Sequence, residues 1–263
     1  QHLRKLKPKH HWHIDSIKAF DTFFSLNHHF KISPELFFSQ FFFLTKPLES
    51  DYQEFWLHKK AKRLRNHEKF ISDCNFSDLK VIDTVLKSIP ANTQLQIGNS
   101  SIIRYTQLFD INKTLPVFCN RGTSGIDGST STAIGAATAV KENTLFITGD
   151  ISFFYDSNAL WNKYIPKNFR IILINNNGGG IFRFIPGPKE SSALDYFEAP
   201  HNLTAEHLCK MYNFDYTTAA NEDELEKELN GFYNECETPK LLEVFTPREK
   251  NDLILKAYFN NLK

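Results

Sequence analysis

Residues 148–180 read TGDISFFYDSNALWNKYIPKNFRIILINNNGGG, and this stretch decides the fold. It opens at the end of an apolar run, Leu145-Phe146-Ile147. It closes after a second run, Ile171 to Ile174, which three asparagines and three glycines follow at once. Short apolar runs ended by turn residues are the mark of buried parallel strands. The segment between them carries Phe153, Phe154, Leu160 and Trp161 and is long enough for a crossover helix. Strand, crossover and strand make a βαβ unit. Both polar turns then lie at strand C-termini, where open α/β sheets bind ligands.

The chemistry of these turns is definite. Asp150 offers hard carboxylate oxygens, Asn175, Asn176 and Asn177 offer amide oxygens, and Gly178 to Gly180 let backbone approach a ligand closely. A carboxylate, an amide and a backbone carbonyl, completed by diphosphate oxygens and water, form an octahedral oxygen shell suited to Mg²⁺. Two ordinary strand-end turns are the plainer account of the same residues.

The rhythm extends outward in both directions. Strand-like runs fall at about 94–97, 115–119, 144–148, 169–174, 214–217 and 240–246, with helical patterns between them, including 130–140, 205–212 and 222–235. About six strands alternating with helices predict an α/β fold: a doubly wound parallel sheet with helices on both faces. Upstream, the pattern predicts a helix over 78–89 before Pro90 and another over 47–65 with an acidic first turn and a basic last turn. Residues 1–50 are aromatic-rich and uneven: HHWHI at 10–14 alternates like a strand, and PELFFSQFFFL at 34–44 reads as a buried helix or strand. The expected organisation is a short partial α/β domain over 1–50 and a main domain over 51–263. His10, His11 and His13 have no carboxylate or cysteine partner at ligand spacing, so no metal is assigned to them.

Charge and composition exclude several classes. Lys+Arg 31 against Asp+Glu 30 leaves a net charge of +1, so no overall field favours nucleic acid or a membrane surface. The basic runs RKLKPKHH and HKKAKRLR read as solvated helix faces in preference to an RNA-binding patch. No apolar run approaches the length of a bilayer span and no signal-peptide pattern opens the chain, so a cytoplasmic protein is expected. Cys74, Cys119, Cys209 and Cys236 show no metal-ligand spacing and are expected to be reduced, buried thiols. Met211 is the only methionine, so the chain is expected to begin within a longer protein.

Two further polar turns follow strand ends. In Gly98-Asn99-Ser100-Ser101-Ile102-Ile103-Arg104 a strand passes into a helix N-terminus, whose N–H groups and Ser100 hydroxyl could hold an anion, with Arg104 about one turn along. Capping of that helix by Asn99 and Ser100 is the alternative. In Cys119-Asn120-Arg121-Gly122-Thr123-Ser124-Gly125-Ile126-Asp127-Gly128, three glycines surround the lone apolar Ile126, as though the backbone pressed against a flat ligand. Arg121 is a fixed cation that can grip a carboxylate bidentately.

Gly149-Asp150 and Asn175-Asn176, separated by 24 residues, resemble the signature of thiamine diphosphate enzymes. Taken in order, GNSSIIR, NRGTSGIDG, GDIS and NNNGGGIF resemble one branch of them, the 2-succinyl-5-enolpyruvyl-6-hydroxy-3-cyclohexene-1-carboxylate synthases of menaquinone biosynthesis. The resemblance is strong over about 95–190 and continues only as pattern in the flanks. It implies a thiamine diphosphate-binding fold, with residues 1–50 as the end of a central domain.

The resemblance also implies roles. Asp150, Asn176 and the Gly178 carbonyl would hold Mg²⁺ or Mn²⁺. Ser100, Ile151 and Ser152 would lie at the diphosphate, Gly125 would face the aminopyrimidine, and Ile126 would wedge the cofactor into its bent form. Asn99, Arg104 and Arg121 would bind carboxylates, with Ile181 and Phe182 lining the cavity, so that Arg104, Arg121 and Ile126 serve catalysis directly. The implied reaction is decarboxylation of 2-oxoglutarate and 1,4-addition of the succinyl-semialdehyde carbanion to isochorismate, in a homodimer or homotetramer. The glutamate that drives proton transfer in such enzymes belongs to an N-terminal pyrimidine-binding domain, so this chain is expected to be the C-terminal part and inactive alone. Another thiamine diphosphate-dependent 2-oxo acid decarboxylase or carboligase, and a non-catalytic cofactor-binding or assembly domain, remain open alternatives. A dinucleotide-binding module is disfavoured, because no GxGxxG opens a βαβ unit.

Overall fold

The computed structural model describes residues 2–185 and 187–263. They form two compact units, Gln1–Lys59 and Lys60–Lys263. In the first, helix α1 (His2–Leu6) precedes two short parallel strands, β1 (Trp12–Ile14) and β2 (His28–Phe30), with Trp12 opposite His28. Helix α2 (Pro34–Phe41) starts where the Ser33 hydroxyl accepts the Leu36 N–H and proline takes the first helical position. A 3₁₀ turn, Phe42–Leu44, follows.

The 34–44 segment is helical, but it is not the buried element its sequence predicts. Only Phe37 is buried, while Phe43 is 90% exposed. A two-stranded sheet offers too small a face to cover the segment, so its rings pack on one another, Phe37 against Phe30 and stacked on Phe41. Helix α3 (Tyr52–Asp73) crosses from one unit into the other. It runs past the expected end near Arg65, so the basic residues sit mid-helix and the last turn carries none.

The second unit continues with α4 (Asp78–Ser88), β3 (Gln94–Ile97), α5 (Ser101–Thr106), β4 (Val117–Cys119), α6 (Ser129–Thr138), β5 (Thr144–Gly149), α7 (Asp150–Tyr155) and β6 (Phe169–Asn175). It ends with α8 (Leu194–Glu198), α9 (Glu206–Met211), β7 (Asp215–Ala219), α10 (Glu222–Leu229), β8 (Lys240–Phe245) and α11 (Asn251–Asn261). The six strands pair in the order β4-β3-β5-β6-β8-β7, every pairing parallel. The expected doubly wound sheet is present.

Side-chain alternation explains how it is buried on both faces. Leu145, Ile147, Ile172, Ile174, Leu242 and Val244 face a core shared with α4, α5 and α10. Phe146, Phe169, Ile171, Leu173 and Leu241 face the opposite core, shared with α6, α7 and α9. Strands covered on both sides read as continuous apolar runs for this reason.

The chain leaves β3 toward the edge strand β4 and returns across β3 to β5. This reversal opens a crevice at the carboxyl ends of β3 and β5. Between β5 and β6, the expected crossover helix is only the six-residue α7 and a 3₁₀ turn, Ser157–Trp161. The break falls at Asp156, whose carboxylate accepts the Ser131 N–H and hydroxyl and so caps α6 instead of continuing its own helix.

Candidate functional site

Every polar turn singled out in the sequence lies at the carboxyl end of the sheet. At the end of β5, Asp150 is 3% exposed, and one of its oxygens accepts the Gly178 N–H at 2.9 Å. Its other oxygen accepts the Ile151 N–H at 2.7 Å. The turns after β5 and β6 are thus joined. Gly178 sits at φ +150°, and a Cβ there would lie 2.8 Å from the Glu198 carbonyl oxygen, so only glycine fits. At the end of β3, a Cβ on Gly98 would meet the Thr148 hydroxyl at 2.9 Å.

Asn176 carries the most informative atom of the site. Its Nδ2 donates to Asp78, 2.9 Å away, while its Oδ1 is buried and has no hydrogen-bond partner among the described residues. Leaving a buried acceptor unmade costs about 1–3 kcal/mol. Together with the Asp150 carboxylate and the Gly178 carbonyl, this oxygen makes a hard donor set of the kind that suits Mg²⁺ or Mn²⁺. The residues present fit the expected metal.

A second cluster joins β3 and β4. Asn99 is 1% exposed, and its Nδ2 donates to the carbonyls of Asn120, at 2.6 Å, and Gly125, at 2.7 Å. Arg121 donates to the Asn99 Oδ1 at 3.2 Å. Asn99 therefore ties the 120–125 loop to the sheet. The Ser152 hydroxyl donates to the Ile126 carbonyl at 2.6 Å, linking the same loop to α7. Ser100 stands at φ 67°, ψ −126°, a backbone conformation that costs a non-glycine residue about 1–3 kcal/mol.

Arg104 donates to the Ser100 carbonyl at 2.6 Å. Burial lowers the pKa of its guanidinium, and the neighbouring Arg121 adds to that effect. Among the described residues, neither arginine forms an ion pair with a carboxylate. Arg104 and Ile181 also line a largely apolar cavity of about 350 Å³ with Tyr105, Phe184, Ile185 and Phe259. Phe182 packs against Phe197 instead, with 5.3 Å between ring centroids.

Three supporting residues escape a reading of motifs. Asp78, at the start of α4, is 1% exposed and accepts from Asn176 and from the Thr246 hydroxyl. Burial pushes its carboxyl up to about 6, against the lowering effect of those two hydrogen bonds. His201 places Nε2 3.3 Å from Asp150 Oδ2, while its Nδ1 accepts the Leu203 N–H. Glu198, wholly buried, is held by Arg183 at 2.5 Å and Arg248 at 2.7 Å. Its desolvation would raise the pKa, but the hydrogen bonds from the two arginines outweigh that and hold it below the ordinary carboxylate value.

The fold and these strand-end turns define an α/β domain of the thiamine diphosphate-binding kind. No family model matches the chain. It is, however, 56% identical over 262 residues to a 2-succinyl-5-enolpyruvyl-6-hydroxy-3-cyclohexene-1-carboxylate synthase of Christiangramia forsetii, covering 99% of this chain and 45% of that protein. It is 54% identical to the protein of the same name from Flavobacterium psychrophilum and 53% identical to that of Flavobacterium johnsoniae, covering 99% of this chain and 47% of theirs in each case. At this identity the chain is a homologue of one part of the 2-succinyl-5-enolpyruvyl-6-hydroxy-3-cyclohexene-1-carboxylate synthases. It spans about half the length of the curated relatives it matches.

Proposed function

We propose that this chain carries the metal and diphosphate site of a thiamine diphosphate-dependent synthase of menaquinone biosynthesis, which decarboxylates 2-oxoglutarate and joins the remaining four-carbon unit to isochorismate. The observation that carries the reading is the buried, unpartnered Asn176 Oδ1, in a turn bonded to Asp150 through Gly178. Asp150, Asn176 and the Gly178 carbonyl would hold Mg²⁺ or Mn²⁺. When bound, thiamine diphosphate supplies a carbon nucleophile for the 2-oxo carbon and an electron sink for loss of CO₂.

The chain's own residues bind, orient and exclude water. Ser100, Ile151 and Ser152 are assigned to the diphosphate end, and Gly125 and Ile126 to the face of the cofactor. Ser152 steadies that loop through the Ile126 carbonyl. Arg104 and Arg121, with Asn99, are assigned to substrate carboxylates. Both substrates carry two carboxylates, and two cations without acidic partners among the described residues suit them. Ile181 is assigned to the apolar wall that keeps water away, with Phe182, packed on Phe197, beside it. Proton transfer at the cofactor is assigned to a glutamate of a pyrimidine-binding domain outside this chain, in a homodimer or homotetramer, so the chain alone is expected to give no turnover.

The test supplies the protein, at the full length of its family, with 2-oxoglutarate, isochorismate, thiamine diphosphate and Mg²⁺. CO₂ release coupled to loss of isochorismate is expected. Asp150→Ala should abolish metal-dependent cofactor binding with the fold retained, because a doubly charged ion then faces mostly neutral oxygens. CO₂ release from pyruvate and none from 2-oxoglutarate would replace this reading with another carboligase of the same superfamily.

A further inference from the structure

The metal ligand Asn176 is an amide, and an amide can be seated in two ways. Its oxygen and its NH₂ group are nearly the same shape, so something must decide which of them faces the cation. Asp78 is placed to do so. Its Oδ2 lies 2.9 Å from Asn176 Nδ2, and its Oδ1 accepts the Thr246 hydroxyl at 2.5 Å. Its own N–H donates to Asn251 Oδ1 at 2.9 Å, so the residue is fastened to the end of β8 and the start of α11.

An ionised carboxylate only accepts hydrogen bonds, so it tolerates the NH₂ group as a neighbour and rejects the carbonyl oxygen. The Asn176 oxygen is thereby turned away from Asp78, and it is the oxygen left buried without a partner.

We propose that Asp78 is the positioning residue of the metal site: it selects the orientation of the Asn176 amide in which the carbonyl oxygen, and not the NH₂ group, is presented to the divalent cation. The proposal rests on the metal reading given above. A negative charge bonded to the NH₂ side also draws electron density toward the amide oxygen and makes it a better donor, as groups behind metal ligands commonly do. Thr246 holds Asp78 in turn and touches neither Asp150 nor Asn176 through any hydrogen bond. A purely architectural Asp78, serving only as an anion at the start of α4 and a tie to β8 and α11, would affect folding and leave the cation alone.

The deciding variant is Asp78→Asn, which keeps size and shape but can donate to Asn176 Oδ1 and turn that amide over. Mn²⁺ binding is followed by electron paramagnetic resonance in the full-length protein with thiamine diphosphate present, and the metal-free melting midpoint is followed in parallel. The expected result is Mn²⁺ affinity weakened tenfold or more while the metal-free midpoint is retained, a split that an architectural role does not produce. Wild-type Mn²⁺ affinity in Asp78→Asn, with Asp150→Ala having lost it, overturns the proposal and leaves the metal site standing. Should Asp150→Ala also bind Mn²⁺ normally, the metal reading itself fails and this inference with it. If Asp78→Asn does not fold, Thr246→Val decides: a several-fold weakening supports the positioning role, and unchanged affinity refutes it.

Discussion

At the scale of single residues, the site is a set of groups whose ordinary partners are missing or displaced. Among the described residues Arg104 and Arg121 are cations without carboxylates, and each donates instead to an oxygen of the β3 turn, Ser100 or Asn99. Replacing either by alanine is expected to raise KM for 2-oxoglutarate or isochorismate while thiamine diphosphate affinity holds. A charge-assisted contact is worth about 1.5–3 kcal/mol, or roughly ten- to a hundredfold. Normal substrate kinetics with weakened cofactor binding would remove the carboxylate role. Glu198 makes the opposite kind of statement, since its depressed pKa ties stability to pH. A carboxyl lowered in the folded state stabilises above its unfolded pKa, about 4.3, and that contribution is lost as pH falls through the folded value. Urea midpoints measured from pH 7 into the acid range should therefore fall less steeply in Glu198→Gln than in the parent, from a lower starting point at pH 7. Parallel slopes would show that the two arginines do not set its titration.

At the scale of elements, strands were legible and partners were not. The runs at 144–148 and 169–174 name β5 and β6 almost residue for residue, because strands buried on both faces have no polar side to blur them. The helix expected over 222–235 stops at Leu229, where Asn230 turns extended and Gly231 takes φ +100°. A glycine inside a helical pattern is the readable signal there. Its start was readable too. Asn221 accepts the Glu224 N–H at 2.9 Å, and Glu224 reaches back to the Ala220 N–H at 2.8 Å. Asn221→Ala should cost about 1 kcal/mol and lower the melting midpoint by about 2–4 °C; an unchanged midpoint would show that packing of Leu225 and Leu229 alone holds α10. Asp78 and His201 stayed invisible for a different reason. Asp78 meets Asn176 across 98 residues and Thr246 across 168, and no local spacing encodes such a meeting.

At the scale of the whole molecule, the two units differ in how much they bury. In the first unit Phe37 is the one hydrophobic side chain in the buried core among the described residues, whereas β5, β6 and β8 in the second are almost wholly covered. Local opening follows buried contacts and protected hydrogen bonds. Amide exchange in this chain should accordingly be slowest at 145–147, 171–174 and 241–244 and fast through residues 12–44. Protection across 12–44 equal to that of the central strands would mean the first unit is held far more firmly than its burial implies. The composition could announce a large core, but it could not say how unevenly that core is shared.

The strained backbone around the site has a practical consequence. Ser100, Ser124 and Asn177, in the turns after β3, β4 and β6, all hold positive φ without being glycine. Each stores strain that a glycine at that position would release. A laboratory-evolution campaign that rewarded heat resistance alone would be drawn to these turns and would replace the Ser100 hydroxyl and the Asn177 amide first. The winners would melt later and work worse. Any thermostabilised descendant of this chain should therefore be ranked on uptake of the proposed metal before it is ranked on temperature.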